Sequence, residues 1–327
     1  MTNKLFRPTA LAIVGLLALS GCSSSSDEAL DKLSLDYAYW NPLSLVIKDQ
    51  GWLEEALADD GIEVEWIQSL GSSTALENLN AEAIDIGSTA GSAVFAARAN
   101  GAELKTIGVF SQPNWGTIVV PANSEIKTAA DLAGKTIAAA SGTDPYFFLL
   151  QALSREGLSS QDVEIVNLIH ADGQKALESG DVDAWAGLDP LTATSQRTTG
   201  SVILVNEPSF NTWGVLNSTE KFLAGHPELV EEVLIQYQRA RTWILENPEQ
   251  AVEILARDAS LNIEDARTVL TERTKIDVPL VPGQVQLDVF KTILPVLVAE
   301  DKVKSQEAAE LALKELIDAA IATKIAG

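Results

Sequence analysis

The apolar residues of this chain change period repeatedly, from every second residue to every third or fourth and back, and this alternation restricts the fold to strand-helix repeats. Leu33, Leu35, Tyr37 and Tyr39 alternate as a first strand, and residues 44–58 follow as a helix. Ile62, Val64 and Trp66 alternate again. Ser72 and Ser73 then stand as caps of a helix through Asn80, and strands are expected at 84–88, 105–110 and 117–120, the last stopped by Pro121. A second unit opens at Thr128, which has capping-box spacing to Asp131. Further strands are predicted at 136–140, 163–169, 182–187 and 202–205, with a helix over 145–155. Beyond Trp213 the pattern becomes long amphipathic helices, one over 227–245. Asn247-Pro248 opens the next, with Asn as cap and Pro in the first turn, where a missing amide is tolerated.

Length and an internal echo divide these repeats in two. A chain of 327 residues exceeds what one core organises. Ala75-Leu76-Glu77 leads to Ile84-Asp85-Ile86-Gly87, and Ala176-Leu177-Glu178 leads to Val182-Asp183-Ala184-Trp185-Ala186-Gly187: helix, acidic turn, strand, glycine, twice over. Each copy ends its strand in a polar loop, Ser88-Thr89 in one and Leu188-Asp189-Pro190 in the other. Ligands of open α/β sheets bind outside the carboxyl ends of strands, so two facing loops of this kind form a cleft.

The N-terminus carries an address. Leu19-Ser20-Gly21-Cys22 closes an apolar run from Leu11 behind Lys4 and Arg7, the pattern of a lipoprotein export signal. About ten apolar residues fall well short of the ~20 that cross a bilayer. Cys22, the only cysteine, is expected to become a lipidated N-terminus after removal of residues 1–21, with residues 22–32 as a polar tether. The protein is therefore expected outside the cytoplasm, tied to a bacterial membrane through lipid alone, and without a disulfide. Ser23 supplies no acidic retention signal beside the lipid.

Charge and missing motifs exclude several functions. The formal net charge is −23, and −25 once Lys4 and Arg7 leave with the signal. No Lys/Arg cluster is present to displace counterions from a polyanion, so nucleic acid is not an expected partner. The two histidines, His170 and His226, have no metal or triad spacing and read as surface or loop residues. No nucleophile elbow or phosphate-cradling loop appears. The expectation is a monomeric binding protein rather than an enzyme, with no cofactor or metal.

Several loops have groups suited to a small ligand. Gly71-Ser72-Ser73-Thr74 and Ser141-Gly142-Thr143 each precede a helix, where free amides and the dipole favour an anion. Trp40, Trp115 and Trp213 lie at predicted strand ends or in loops and suit a pocket wall, whereas Trp185 and Tyr37 suit the core. Asp144 and Asp189 lie in the same loops. If either reaches the ligand, that ligand carries a positive or hydrogen-bond-donating end.

These residues, taken in order, resemble the substrate-binding lipoproteins of ABC importers for nitrate, sulfonate, taurine and related molecules, closest to the aliphatic-sulfonate branch. The resemblance covers about 33–320. It rests on Tyr39-Trp40-Asn41-Pro42-Leu43, Gly61-Ile62-Glu63-Val64-Glu65-Trp66, Ala130-Asp131-Leu132-Ala133-Gly134-Lys135 and Gly180-Asp181-Val182-Asp183-Ala184-Trp185 followed by Asp189-Pro190, along with the first copy of the echo. It implies an α/β, type II periplasmic-binding-protein fold: two α/β lobes joined by two hinge strands near 118–122 and 209–216, closing on ligand. Lobe I would hold 33–118 and 213–327, and lobe II 119–212. The family's pocket loops map onto Asn41, Ser72, Ser88, Thr89, Thr143, Asp144 and Asp189, with Trp115 and Trp213 near the hinge. The implied partners are a small organic solute, an aliphatic sulfonate or taurine by family default, and an ABC permease with its cytoplasmic ATPase. Gly87-Ser88-Thr89-Ala90-Gly91, Gly142-Thr143-Asp144 and Leu188 depart from the sulfonate pattern, all in ligand loops. A receptor for a thiamine-type pyrimidine or other amine, held by Asp144 or Asp189, and a sensor lipoprotein are the alternatives.

Overall fold

The computed structural model describes residues 30–327. The export signal, Cys22 and most of the tether lie outside the described residues. Among the described residues no helix is long and apolar enough to cross a membrane.

Eleven strands are described in chain order: β1 (Lys32–Tyr37), β2 (Glu63–Gln68), β3 (Ile86–Ala90), β4 (Leu104–Pro113), β5 (Gly116–Val120), β6 (Thr136–Ala139), β7 (Glu164–Asn167), β8 (Ala184–Leu188), β9 (Val202–Val205), β10 (Gly214–Thr219) and β11 (Thr274–Lys275). They form two sheets, in the orders β11-β4-β10-β3-β1-β2 and β7-β6-β8-β5-β9. Without β11 the sheets follow one plan. Three parallel strands, β2-β1-β3 or β7-β6-β8, are followed by one antiparallel strand, β10 or β5, and then by β4 or β9. The internal echo is thus structural, since β3 and β8 hold the same place in their sheets.

The antiparallel strand of each sheet arrives from the other. β5 follows β4 of the first sheet, and β10 follows β9 of the second, so the chain crosses between Pro113 and Gly116 and returns between Val205 and Gly214. β5 begins at Gly116 and lies whole in the second sheet, straddling the 118/119 boundary expected from sequence. β5 and β8 are buried at every residue, as strands covered on both faces must be. Edge strands β2 and β7 are half exposed.

Local chemistry refines several boundaries. The helix expected over 44–58 is two helices, Pro42–Gln50 and Trp52–Leu57. Gly51 adopts φ 64°, and its amide donates to the Ile47 and Lys48 carbonyls, a left-handed stop that glycine takes without a Cβ penalty. Asn247 stands at the predicted helix start, but its side chain donates back to the Trp243 carbonyl instead of capping. Thr128 and Asp131 form the expected capping box around a single 3₁₀ turn.

Candidate functional site

The carboxyl ends of all six parallel strands converge on one pocket between the sheets. β1 leads to Trp40, β2 to Ser72, β3 ends at Ala90, β6 leads to Thr143, Asp144 and Pro145, β7 to His170, and β8 ends at Leu188. Trp115, at the first crossing, completes the lining. The lining is drawn close together and leaves about 10 Å³ between its side chains, room for roughly one water.

Three helices begin at this pocket: Ser72–Asn80, Asp144–Arg155 and His170–Ser179. None has a side-chain cap. Their first-turn amides thus turn a positive helix end toward the cleft. Ser72 is the first residue of its helix rather than a cap, and its hydroxyl accepts from the Ala90 amide at 3.0 Å, leaving the hydroxyl proton free. The Thr143 hydroxyl donates to the Ala140 carbonyl at 2.6 Å and has only acceptor capacity left.

Two further lining residues carry polar atoms without partners. Trp40 Nε1 and both ring nitrogens of His170 are buried and make no hydrogen bond. An unpaired buried donor of this kind costs about 1–3 kcal/mol, so two residues doing so at one pocket point to a ligand-binding face. His170, expected at the surface or in a loop, opens a helix and is 3% exposed, because that helix packs on Trp185 and its ring lies against Gly71 of the other sheet's loop. Burial drives its imidazole down to about 4, so at neutral pH it is uncharged, with one nitrogen donating and the other accepting.

The carboxylate in this lining is already saturated. Asp144 Oδ1 accepts from the hydroxyls of Ser92 (2.5 Å) and Thr212 (2.6 Å). Its Oδ2 accepts from Trp115 Nε1 (2.7 Å) and the Thr212 amide (2.9 Å). Four donors occupy its four lone-pair sites. Burial still holds the carboxyl above the usual carboxylate range, against the opposite pull of those donors.

The other expected residues are placed differently. Asp189 pairs with Arg273 at 3.0 Å and caps the helix Leu191–Thr199 by accepting from the Ala193 amide. It borders a neighbouring hollow rather than this pocket. Asn41 donates to Tyr237 Oη and accepts from the Ser44 amide. Ser88 binds Asp36 through both its amide and its hydroxyl. Thr89 donates to the Ala90 carbonyl and accepts from Asn217. Trp213 packs in the core cluster that contains Val215 and Phe290, one position from the pocket's latch at Thr212. Ser72, Trp115, Thr143 and Asp144 are therefore the expected residues that the fold brings together at the pocket, whereas Asn41, Ser88, Thr89, Asp189 and Trp213 lie around it. Ser92 and Thr212 escaped sequence reasoning because a lone hydroxyl in a small-residue helix or loop carries no pattern.

Comparison with known proteins matches this geometry. The family model described as NMT1/THI5 like matches residues 44–251. The chain is 31% identical over 266 residues to the "Putative aliphatic sulfonates-binding protein" of Bacillus subtilis (strain 168), covering 80% of each chain. It is similar to the solved structure of the alkanesulfonate-binding protein SsuA from Xanthomonas axonopodis pv. citri bound to MOPS, with TM-score 0.77 and 25% identity over 86% of this chain and 97% of that one. A Candida albicans gene product described as having the generic periplasmic binding protein structural fold aligns with TM-score 0.71 and 14% identity over 89% of this chain and 96% of its own, a likeness of fold alone. With two sheets of one plan, exchanged antiparallel strands and a pocket at the strand ends between them, the chain has the periplasmic-binding-protein fold and belongs to the NMT1/THI5-like family.

Proposed function

We propose that this protein is an extracytoplasmic solute-binding lipoprotein of an ABC importer, anchored through Cys22, that captures a small organic oxyanion of the aliphatic-sulfonate class and delivers it to a permease. One observation carries the choice of ligand: the pocket offers neutral donors, with Trp40 Nε1, His170, the Ser72 hydroxyl and three uncapped helix starts around it, while its one carboxylate is saturated. Oriented amides and hydroxyls at helix starts stabilise an oxyanion without a cation. The names of the similar proteins support the same class. The two lobes, divided at the crossings between Pro113 and Gly116 and between Val205 and Gly214 rather than at 118/119, would close on the ligand about those crossings, the protein acting as a monomer without chemistry of its own.

The amine or pyrimidine reading needs a carboxylate with a free lone pair in the pocket, and Asp144 has four donors already. Thermal unfolding of the full chain carrying Cys22→Ser, with alkanesulfonates, taurine, nitrate, pyrimidines and small amines, tests the ligand class, because a ligand of the folded state raises the midpoint by mass action. Sulfonates are expected to raise it. A rise with amines or pyrimidines alone overturns the reading. Wild-type protein is expected to take up radiolabelled palmitate, and Cys22→Ser is expected to take up none. Deletion is expected to abolish growth on an alkanesulfonate as sulfur source, and unchanged growth would speak for a sensor role instead.

A further inference from the structure

The C-terminal part of lobe I reaches lobe II on both sides of the pocket. On one side the space between the lobes continues into a hollow of about 290 Å³, lined by Ser73, Leu76 and Asn100 from lobe I and by Ser141, Gly142 and Phe147 from lobe II. Lys302 borders it, in the turn after the helix Gln284–Ala299. That turn is held to lobe I, since Asn100 Nδ2 donates to the Lys302 carbonyl at 2.8 Å. Its side chains cross to lobe II. The Lys302 ammonium stands 5.4 Å from the ring centroid of Tyr146, within cation–π reach. Both carboxylate oxygens of Glu300 accept from the Ser160 amide, at 3.0 and 3.3 Å. On the other side Asp265, in the helix Ile263–Arg267, accepts from the guanidinium of Arg197 and the hydroxyl of Thr194, both of lobe II.

We infer that these contacts form a clasp that holds the free protein closed and gates the pocket, so that solute enters and leaves as the clasp releases. None of the residues that make them lines the strand-end pocket, so they join the lobes through groups that a bound solute does not touch. Rotation about the crossings that parts the pocket walls separates Lys302 from its ring, Glu300 from its amide and Asp265 from Arg197. The clasp is present in the closed form whether the pocket is filled or not. Where the free protein is mostly closed, the clasp therefore cancels from the affinity, but it slows entry and release by the same factor. Loss of one exposed cation–π contact lowers the closed-to-open ratio about two- to fivefold. The inference goes beyond the identity of the solute and does not depend on it.

Cys22 is the only cysteine, so the full chain carrying Cys22→Ser takes spin labels only where new cysteines are placed. Ala56→Cys in lobe I and Ala133→Cys in lobe II are exposed sites for a pair. Electron–electron resonance on this protein, with no solute added, is expected to give one short interlobe distance. Lys302→Met is expected to add a longer distance, and combining it with Glu300→Ala and Arg197→Gln to make the longer distance dominant. Lys304→Met is the control and is expected to change nothing, because the Lys304 ammonium lies beside Gly101 of lobe I. Identical distributions in the parent and the triple variant overturn the clasp. In stopped-flow mixing with butanesulfonate, the triple variant is expected to associate and dissociate at least threefold faster, with its dissociation constant changed less than twofold. Weaker binding at an unchanged association rate overturns the gate and leaves these residues a merely structural role. Failure of butanesulfonate to bind the parent overturns the solute class alone, and the interlobe distances still decide the clasp.

Discussion

Trp115 Nε1 donates to Asp144 Oδ2 across 2.7 Å and joins the first crossing between the sheets to the helix that opens the second lobe's side of the pocket. Thr212, beside the second crossing, and Ser92, from the helix Gly91–Ala99 after β3, bind the same carboxylate. One buried anion therefore ties both crossings and both sheets together at the cleft.

Removing that anion strands four donors. Asp144→Ala is expected to destabilise the protein by at least about 3 kcal/mol, and Trp115→Phe by about 1.5–3 kcal/mol, the range for a hydrogen bond to a charged group. Urea denaturation at constant slope measures both. A loss below about 0.5 kcal/mol for Asp144→Ala, the scale of an uninvolved surface change, would remove it as the latch.

Acid should pull stability in two directions at once. His170 titrates near 4 in the folded protein against 6.5 when free, so between these values the unfolded chain holds the extra proton and stability falls as pH falls. Burial pushes the Asp36 carboxyl up to about 7 from 3.8, so there the folded chain holds the extra proton and stability rises as pH falls. Each contribution is on the order of 3 to 4 kcal/mol at full extent and they oppose. Relative to wild type, His170→Gln is therefore expected to gain stability between pH 7 and 4.5. Asp36→Asn, which can still pair with Ser88, is expected to lose it. Denaturation midpoints across that range, each read as a difference from wild type, test both signs.

Periodicity made the strands legible because each parallel strand is an apolar run between polar loops, and the echo around Ala75 and Ala176 anticipated the matching places of β3 and β8. The helix-start loops and the family mapping led to Ser72, Thr143 and Asp144 at the pocket, whereas the strand-end rule pointed to Ser88, Thr89 and Asp189, which lie around it. The sequence hid the partners that decide what each polar residue does. Ser88 faces Asp36, 52 positions away, and Asn41 faces Tyr237, 196 positions away, and nothing local to either predicts the pairing. His170 was misread for the same reason. Its ring lies against Gly71 on the opposite sheet's loop, a contact that nothing in its own stretch of sequence predicts.

The two sides of the cleft are also pinned by a pair of oppositely arranged ion pairs. Asp189, after β8, binds Arg273, while Arg197, on the helix that Asp189 caps, binds Asp265 through two hydrogen bonds at 2.8 Å. Arg273 also donates to Gln196. Burial already holds the Asp189 carboxyl above its usual range although Arg273 draws it down. Arg273→Gln removes that restraint, so a cost of about 3 kcal/mol is expected at pH 8, near the lower end for breaking a buried pair because Arg273 is partly exposed. The proton that Asp189 then takes up on folding should restore part of the loss at pH 5. A pH-independent deficit would place the cost in lost packing instead.

Gly173 sets the position of His170 through the closeness of its helix to β8. A Cβ there would lie 2.7 Å from Trp185 Nε1 and 2.8 Å from Trp185 Cδ1, and that ring is fully buried, so neither side can yield cheaply. Gly173→Ala gains helix propensity of about 1 kcal/mol, yet the clash forces the helix outward. Overpacking of this kind costs about 1–3 kcal/mol, and a net loss of stability is expected. Moving the helix also moves His170 at its first turn, so alkanesulfonate affinity should fall along with stability. Trp185→Phe makes room at the same place, and the double variant is therefore expected to lose less than the sum of the two single losses, a coupling of at least about 0.5 kcal/mol for side chains in contact. Additive losses would show that the helix adjusts independently of Trp185, and that the close approach is not what holds His170 at the pocket.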